Sequence, residues 1–234
     1  MTKGKLILIS TPLSDIDPSA VIPAGDLKII DSLRYFVVEN IRTARRFLKK
    51  INRNFPIDDS RFSLLDKHTE VSKLKDLLAP ALEGHDIGLM SEAGAPAIAD
   101  PGALLVAKAH ECHVTITPLT GPSSLLIALM ASGFNGQEFA FHGYLPIKPE
   151  ERRKKIKQLE SQAGKQNITQ IFIETPYRNN AMMEDLLGAC NQATKLCVAS
   201  DLHGNKQKIK TKTISEWKKT PYNFHKIPAV FLIQ

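Results

Sequence analysis

The segment Ser91-Glu92-Ala93-Gly94-Ala95-Pro96-Ala97-Ile98-Ala99-Asp100-Pro101-Gly102 follows an apolar run and concentrates small residues, two glycines and two prolines. A loop of this composition is rigid, and its backbone can approach a ligand closely at the carboxyl edge of a sheet, where open α/β sheets bind. Taken alone, the same segment also reads as a tight strand-to-helix connection. Glu39 and Arg42 follow another apolar run. They read either as a substrate-facing pair at a strand end or as a helix-start carboxylate with a surface arginine. His68 and Glu70, with Thr69 between them, read as a helix cap before they read as ligands. Glu174, Arg178 and His203 are open in the same way, with Glu174 placed to bind the start of the next helix.

Several kinds of chemistry are disfavoured. Neither GxxxxGK[ST] nor GxGxxG follows the first apolar run, which argues against a phosphate-cradling cofactor. His110, His113, His142 and His225 have no ligand-like spacing, and Cys112, Cys190 and Cys197 lack the two-residue spacing of a zinc site. No metal and no disulfide framework is expected, and a reducing cytoplasm fits the cysteine usage.

The elements that would position these residues are legible from periodicity. Strands are expected over 5–10, 35–39, 61–65, 87–91 and 114–117, with helices over 24–33, 41–50, 70–83 and 103–110 between them. This alternation predicts an α/β fold with a mainly parallel sheet. Near Pro118 the chain reaches Gly121-Pro122-Ser123-Ser124, after which 125–132 is strongly apolar and predicts a buried helix, with Thr120 or Ser123 able to cap it. A domain boundary is expected here, giving units 1–117 and 118–234. The second half continues with the segment 138–143, a basic helix from Glu150, a strand over 169–174, a helix over 178–191 and a strand over 195–200. Segments 208–213 and 229–234 are expected as antiparallel or edge strands, making this a mixed sheet.

The chain has 234 residues, with 31 Lys and Arg against 24 Asp and Glu and a formal charge of +7. Its hydrophobic fraction of 43% supports a sizeable core and excludes a disordered class. No apolar run approaches the roughly 20 residues of a membrane span, and the 5–9 stretch is too short for a signal peptide, so a soluble protein is expected. Basic residues cluster at Arg42, Arg45, Arg46, Lys49 and Lys50, over 152–157, and over 206–212. Each cluster reads equally as a polyanion contact or as the solvated face of its element. Trp217 and Tyr222 lie near lysines, but one or two aromatics do not make a base-stacking platform.

Five ordered segments give the sequence a family likeness: Leu8-Ile9-Ser10-Thr11-Pro12-Leu13; Glu92-Ala93-Gly94-Ala95-Pro96 running into Asp100-Pro101-Gly102; Gly121-Pro122-Ser123-Ser124 with Ala131-Ser132-Gly133; Gly143-Tyr144-Leu145-Pro146; and Glu174-Thr175-Pro176-Tyr177-Arg178. Over almost its whole length the chain resembles the tetrapyrrole methylase superfamily, the class III S-adenosylmethionine-dependent methyltransferases. Within that superfamily it is most similar to the bacterial enzymes that methylate a ribose 2′-hydroxyl of small-subunit ribosomal RNA. The resemblance implies two αβα domains with S-adenosylmethionine folded into the cleft between them, the first on the substrate side and the second holding much of the cofactor site, in a homodimer. It carries cofactor contact onto Thr11, Pro12, Ala93, Gly94, Ala95, Pro96, Ala97, Ile98, Ser123, Ser124, Tyr177, Asp201, Leu202, Pro228 and Ala229.

The same resemblance favours Glu39 and Arg42 as catalytic residues. It implies an RNA acceptor, a setting in the cytoplasm and no membrane, with a tetrapyrrole or other small-molecule acceptor, or a silent cofactor- or RNA-binding module, as the rivals. A neutral ribose hydroxyl is a poor nucleophile, so its methylation calls for a general base or a charge that stabilises the developing alkoxide. At this point the sequence departs from its relatives. Where the ribose methyltransferases have Glu-Asp-Thr-Arg, this chain reads Glu39-Asn40-Ile41-Arg42, and Ser14-Asp15 replaces their Gly-Asn pair. Asp66-Lys67-His68-Thr69-Glu70 keeps only part of a polar segment.

Overall fold

A computed structural model describes residues 2–66 and 68–234; Lys67 of the polar segment lies outside the described residues. The chain forms two compact units, Met1–Ser123 and Ser124–Gln234. The division falls six residues beyond the one expected at 117/118, because residues 119 and 120 still bond to the first unit. The Leu119 N–H donates to the Leu8 carbonyl at 2.9 Å, and the Thr120 N–H to Asp26 Oδ2 at 2.9 Å.

The first unit runs β1 (Lys5–Ile9), α1 (Ala24–Ser32), β2 (Tyr35–Val38), α2 (Ile41–Ile51), β3 (Arg61–Leu64), α3 (Leu74–Leu77), α4 (Ala79–Leu82), β4 (Ile87–Met90), α5 (Gly102–Glu111) and β5 (Thr115–Pro118). Its sheet is parallel throughout, in the order β3-β2-β4-β1-β5. Alternation along the strands divides the core. Ile7, Ile9, Phe36, Val38 and Met90 pack beneath α1 and α2, whereas Leu6, Val37, Ile87 and Leu89 pack beneath α3, α4 and α5. The helix expected over 70–83 is broken: a 3-10 turn, Val71–Lys73, leads into α3 and α4, each a single turn. Pro80 has no N–H to continue the ladder, so the apolar spacing survives while the helix does not.

The second unit runs α6 (Ser124–Ser132), β6 (Phe139–Tyr144), α7 (Pro149–Gln166), β7 (Thr169–Ile173), α8 (Asn179–Ala189), β8 (Lys195–Ser200), β9 (Lys208–Thr213), α9 (Ile214–Lys218) and β10 (Ala229–Ile233). Its sheet, ordered β6-β7-β10-β8-β9, is mixed, with β6 and β7 parallel and the other pairs antiparallel. Of the two alternatives expected for the last strand, antiparallel or edge, it takes the first: β10 is central and antiparallel to both neighbours, and Ala-Val-Phe-Leu-Ile is apolar at every position because both of its faces are covered. The helix α6 packs only one face on β8, β9 and β10, so the burial expected of it is partial: Leu126 is 52% and Met130 84% exposed.

The basic helix α7 also departs from expectation. Arg152 lies in its buried stripe with Ile156, Leu159 and Ala163, and is 3% exposed. Its guanidinium Nε donates to Asp185 Oδ2 at 2.6 Å, while Arg153 donates to Oδ1 of the same carboxylate at 2.9 Å. These two charges tie α7 to α8; Arg152 is buried in that contact, whereas Arg153 stays half exposed. Among the described residues no helix is long and apolar enough to cross a membrane.

Candidate active site

In the first unit, the connection leaving β1 crosses β4 to reach β2, while the one leaving β4 crosses β1 to reach β5. The loops after these adjacent strands therefore diverge, which opens a crevice at their carboxyl ends. A cavity of about 400 Å³ lies there, lined by Thr11 to Ile16 after β1, Val38 to Asn40 after β2, one side of α2, and Met90 to Ala93 after β4.

Two backbone hydrogen bonds close the floor. The Thr11 N–H donates to the Gly94 carbonyl at 2.9 Å and the Gly94 N–H to the Thr11 carbonyl at 3.0 Å, so an isolated antiparallel bridge ties the 91–102 loop to the chain leaving β1. Gly94 sits at φ 80°, and a Cβ there would meet Leu13 Cδ2 at 3.2 Å. Farther along, Ala97 and Ala99 adopt left-handed φ of 66° and 61° without being glycine. Asp100 holds them there, because its carboxylate accepts the N–H groups of Ala97 at 2.9 Å and Gly102 at 2.7 Å. Such strain persists only where the surroundings over-determine it.

Glu39 is half-buried at the end of β2, and its Oε2 accepts the Glu92 N–H at 3.1 Å. Burial pushes its carboxyl above the ordinary value; the Glu92 N–H opposes this, and the charges of Asp100 and Glu92 add to it. Burial likewise raises Asp100, against its own hydrogen bonds. A half-buried carboxylate with raised basicity, at the edge of a cavity, has the properties of a general base. The thiols are unsuited to that work: burial and the Glu160 charge push Cys190 up to about 12, and burial raises Cys197.

Arg42 is not brought to Glu39. It is exposed on the first turn of α2, outside the cavity lining, with no ion pair among the described residues. The cations on the cavity wall are Arg46 and Lys50, one and two turns further along, with Lys50 paired to Asp15 across the mouth. In the sequence these two belong to the basic cluster with nothing to single them out except their helical spacing from Asn40 and Thr43. Asn40 itself caps α2, its Oδ1 accepting the N–H groups of Arg42 at 2.9 Å and Thr43 at 3.3 Å.

Of the remaining candidates in this unit, Thr11, Pro12 and Ala93 line the cavity, and Ala95, Pro96, Ala97 and Ile98 follow Gly94 in the strained loop. Ser123 ends the first unit and Ser124 begins α6. The cap expected from His68 or Thr69 is instead a turn centred on Asp66, whose Oδ1 accepts the His68 N–H at 2.8 Å and the Thr69 hydroxyl at 3.1 Å.

In the second unit three turns meet at one end of the sheet. The Asp201 N–H donates to the Pro228 carbonyl at 3.0 Å and the Lys226 N–H to the Pro176 carbonyl at 2.9 Å. Tyr177, Asp201, Leu202, Pro228 and Ala229 all lie in these turns or beside them, and Asp201, His203 and Lys226 have left-handed φ of 50°, 63° and 61°. Glu174 serves the start of the next helix: its buried Oε1 accepts the Thr175 N–H and the Arg178 guanidinium, each at 2.6 Å. Four buried polar atoms at this end, Glu174 Oε2, Arg178 Nε, Asn179 Oδ1 and His203 Nδ1, have no protein partner.

Comparison with known proteins finds no family model that matches the chain. The chain is 29% identical to ribosomal RNA small subunit methyltransferase I of Escherichia coli O157:H7, covering all of this chain and 78% of that protein. It is 32% identical to the protein of the same name from Vibrio cholerae serotype O1, over 86% of this chain and 69% of that one. Among solved structures, the methyltransferase CobJ superimposes with a TM-score of 0.65 at 16% identity, covering 98% of this chain and 93% of CobJ. Uroporphyrin-III-C-methyltransferase from Thermus thermophilus does so at 0.57 and 13%, covering 98% and 91%. At such identity these two structures speak for the fold.

Proposed function

Because the chain belongs to the ribosomal RNA small subunit methyltransferase I family, we propose that this methyltransferase acts on small-subunit ribosomal RNA, moving a methyl group from S-adenosylmethionine to a ribose 2′-hydroxyl, in the cytoplasm and as a homodimer. The observation that carries the reading is Glu39: a half-buried carboxylate of raised pKa on the wall of a cavity at the switch point of a parallel sheet.

The residues present suit the cofactor. The unpartnered buried donors and acceptors around Glu174 and His203 are matched by the polar edges of an adenosine, and the 91–98 loop offers backbone groups without side-chain bulk. In this reading Thr11, Pro12, Ala93, Gly94, Ala95, Pro96, Ala97, Ile98, Ser123 and Ser124, with Tyr177, Asp201, Leu202, Pro228 and Ala229 of the second unit, hold S-adenosylmethionine. When bound, the cofactor supplies a methyl group already activated for displacement.

The chain's own task is then alignment and proton removal. Glu39 takes the proton from the attacking hydroxyl as it develops negative charge. Arg46 draws the neighbouring phosphates to the wall of the cavity, where Lys50 is held by Asp15, and Arg42 meets the RNA from its rim. Asn40 and Ile41 take no part in proton transfer, which leaves that step to Glu39 alone. Calorimetric titration with S-adenosylmethionine and S-adenosylhomocysteine, followed by labelled-methyl transfer to small-subunit ribosomal RNA, tests the reading. Micromolar cofactor binding with label in a ribose is the expected result. Absence of cofactor binding would overturn it in favour of a silent RNA-binding protein.

A further inference from the structure

A second cavity, of about 420 Å³, lies within the second unit on the sheet face beside α9, and none of the residues assigned above to the cofactor lines it. Its floor is aromatic. Trp217 and Phe224 are 2% and 7% exposed, with ring centroids 6.4 Å apart, and half-buried Tyr222 stacks on Phe224 at 6.0 Å and 15°. Its wall is cationic. Lys208 and Lys210 alternate with Ile209 and Thr211 along β9 and so share one strand face, in register with Ser200 and Val198 of β8; Lys206 precedes them on the same rim. The next lysine in the row, Lys212, is already committed, donating to the Thr220 hydroxyl at 2.7 Å and lying 5.8 Å from the Trp217 ring centroid. The ammonium groups of Lys206, Lys208 and Lys210 have no ion pair among the described residues, and no Asp or Glu lines the cavity.

Lysines on an edge strand also serve to deter strand addition, and β9 is the edge of this sheet. That role needs charge alone; it does not require a cavity floored by three aromatic rings. Cations beside flat apolar rings match a ligand that carries phosphate and a planar base together. The lysines of β9 stand two residues apart, about 6.8 Å along an extended strand, a step comparable to that between successive phosphates of an extended polynucleotide. A row of this kind fits a strand better than a free mononucleotide.

We propose that this cavity is a binding site for single-stranded RNA, with one base against Tyr222 and adjacent phosphates on Lys206, Lys208 and Lys210; the proposal rests on the reading of RNA as the substrate. None of its lining residues is among those assigned to methyl transfer, and the aromatic platform that the sequence alone does not reveal is assembled by folding.

Trp217 is the only tryptophan of the chain, so its fluorescence reports this cavity alone. Titration of the full chain with a short single-stranded oligoribonucleotide should change that fluorescence saturably. K206Q/K208Q/K210Q should weaken binding by about tenfold or more at low salt and reduce the slope of log affinity against log salt by about 2, since each phosphate contact on a single strand contributes about 0.7. Y222A should weaken binding while leaving that slope unchanged. Three results would overturn the site: binding with silent Trp217 fluorescence, undiminished binding by the triple variant even if it aggregates, or adenosine monophosphate or inorganic phosphate binding as tightly as the oligonucleotide. Methyl transfer is read separately. A chain that binds the oligonucleotide here yet transfers no methyl supports this site and sinks the catalytic reading, whereas RNA methylation with an unresponsive Trp217 does the reverse.

Discussion

Glu39 takes its hydrogen bond from the Glu92 backbone N–H at 3.1 Å and has no ion pair among the described residues. The contact joins the end of β2 to the loop after β4, so the candidate base and the candidate cofactor loop share one anchor. With no cation beside it, the carboxyl keeps a pKa raised by burial, and this leads to a catalytic and a thermodynamic expectation.

For catalysis, Glu39→Gln should lower kcat by about 10²- to 10⁴-fold while S-adenosylmethionine binding survives in calorimetry. In the unsubstituted enzyme, kcat should rise with pH through a limb placed above the ordinary value of 4.5, as the base loses its proton. That limb should vanish in the variant. Equal loss of cofactor binding would remove Glu39 from the chemistry.

Stability should move in the opposite sense. A carboxyl whose pKa is raised on folding holds its proton in the folded state after the unfolded chain has released it, so stability falls as pH climbs from 4.5 through the raised value. Glu39→Gln should therefore flatten the pH dependence of urea unfolding in that window. An unchanged slope would mean that burial does not strain this group.

The helix cap separates folding from chemistry at the neighbouring position. Asn40→Ala should cost about 1 kcal/mol of stability, whereas Asn40→Asp should be nearly neutral, because either side chain can cap α2. Urea midpoints of the two variants check this, and equal losses would show that the cap contributes nothing.

Among the basic residues of α7, only one should matter greatly to folding. Arg152→Met leaves Asp185 buried with only Arg153 beside it and should cost about 3 kcal/mol or more. Lys154→Gln, on the exposed side of the same helix, should stay within about 0.5 kcal/mol. Denaturant unfolding of both distinguishes a clamp from a solvated face.

Relief of backbone strain should trade stability for function in the 91–102 loop. Ala97→Gly with Ala99→Gly removes two left-handed alanines and should not destabilise the first unit, yet it should weaken cofactor binding by loosening the loop. Tighter binding in the variant would show that the strain has no part in holding ligand.

The parallel first sheet, the mixed second sheet and the small-residue loop were legible because short apolar runs and helical spacing mark buried strands and their crossovers whatever packs against them. What escaped depended on tertiary partners. The spacing over 70–83 is helical, but Pro80 interrupts the ladder. In α6 every side is apolar, so no periodicity says which one faces solvent. Arg152 falls in step with Ile156 and Leu159, and only the presence of Asp185 on another helix explains why a charge can lie there. At the site, Glu39 is singled out by where it falls in the family resemblance, whereas Arg46 and Lys50 are hidden in a cluster where every cation looks alike.

The central place of β10 bears on how the chain is made. All five strands of the first sheet have been synthesised by Pro118, whereas the second sheet waits for Ala229–Ile233 to fill the gap between β7 and β8. At the usual ~5–20 residues per second of translation, β7 and β8 spend seconds with facing edges exposed. During that interval the nascent chain is open to mispairing, and chaperone dependence should be concentrated in its second half.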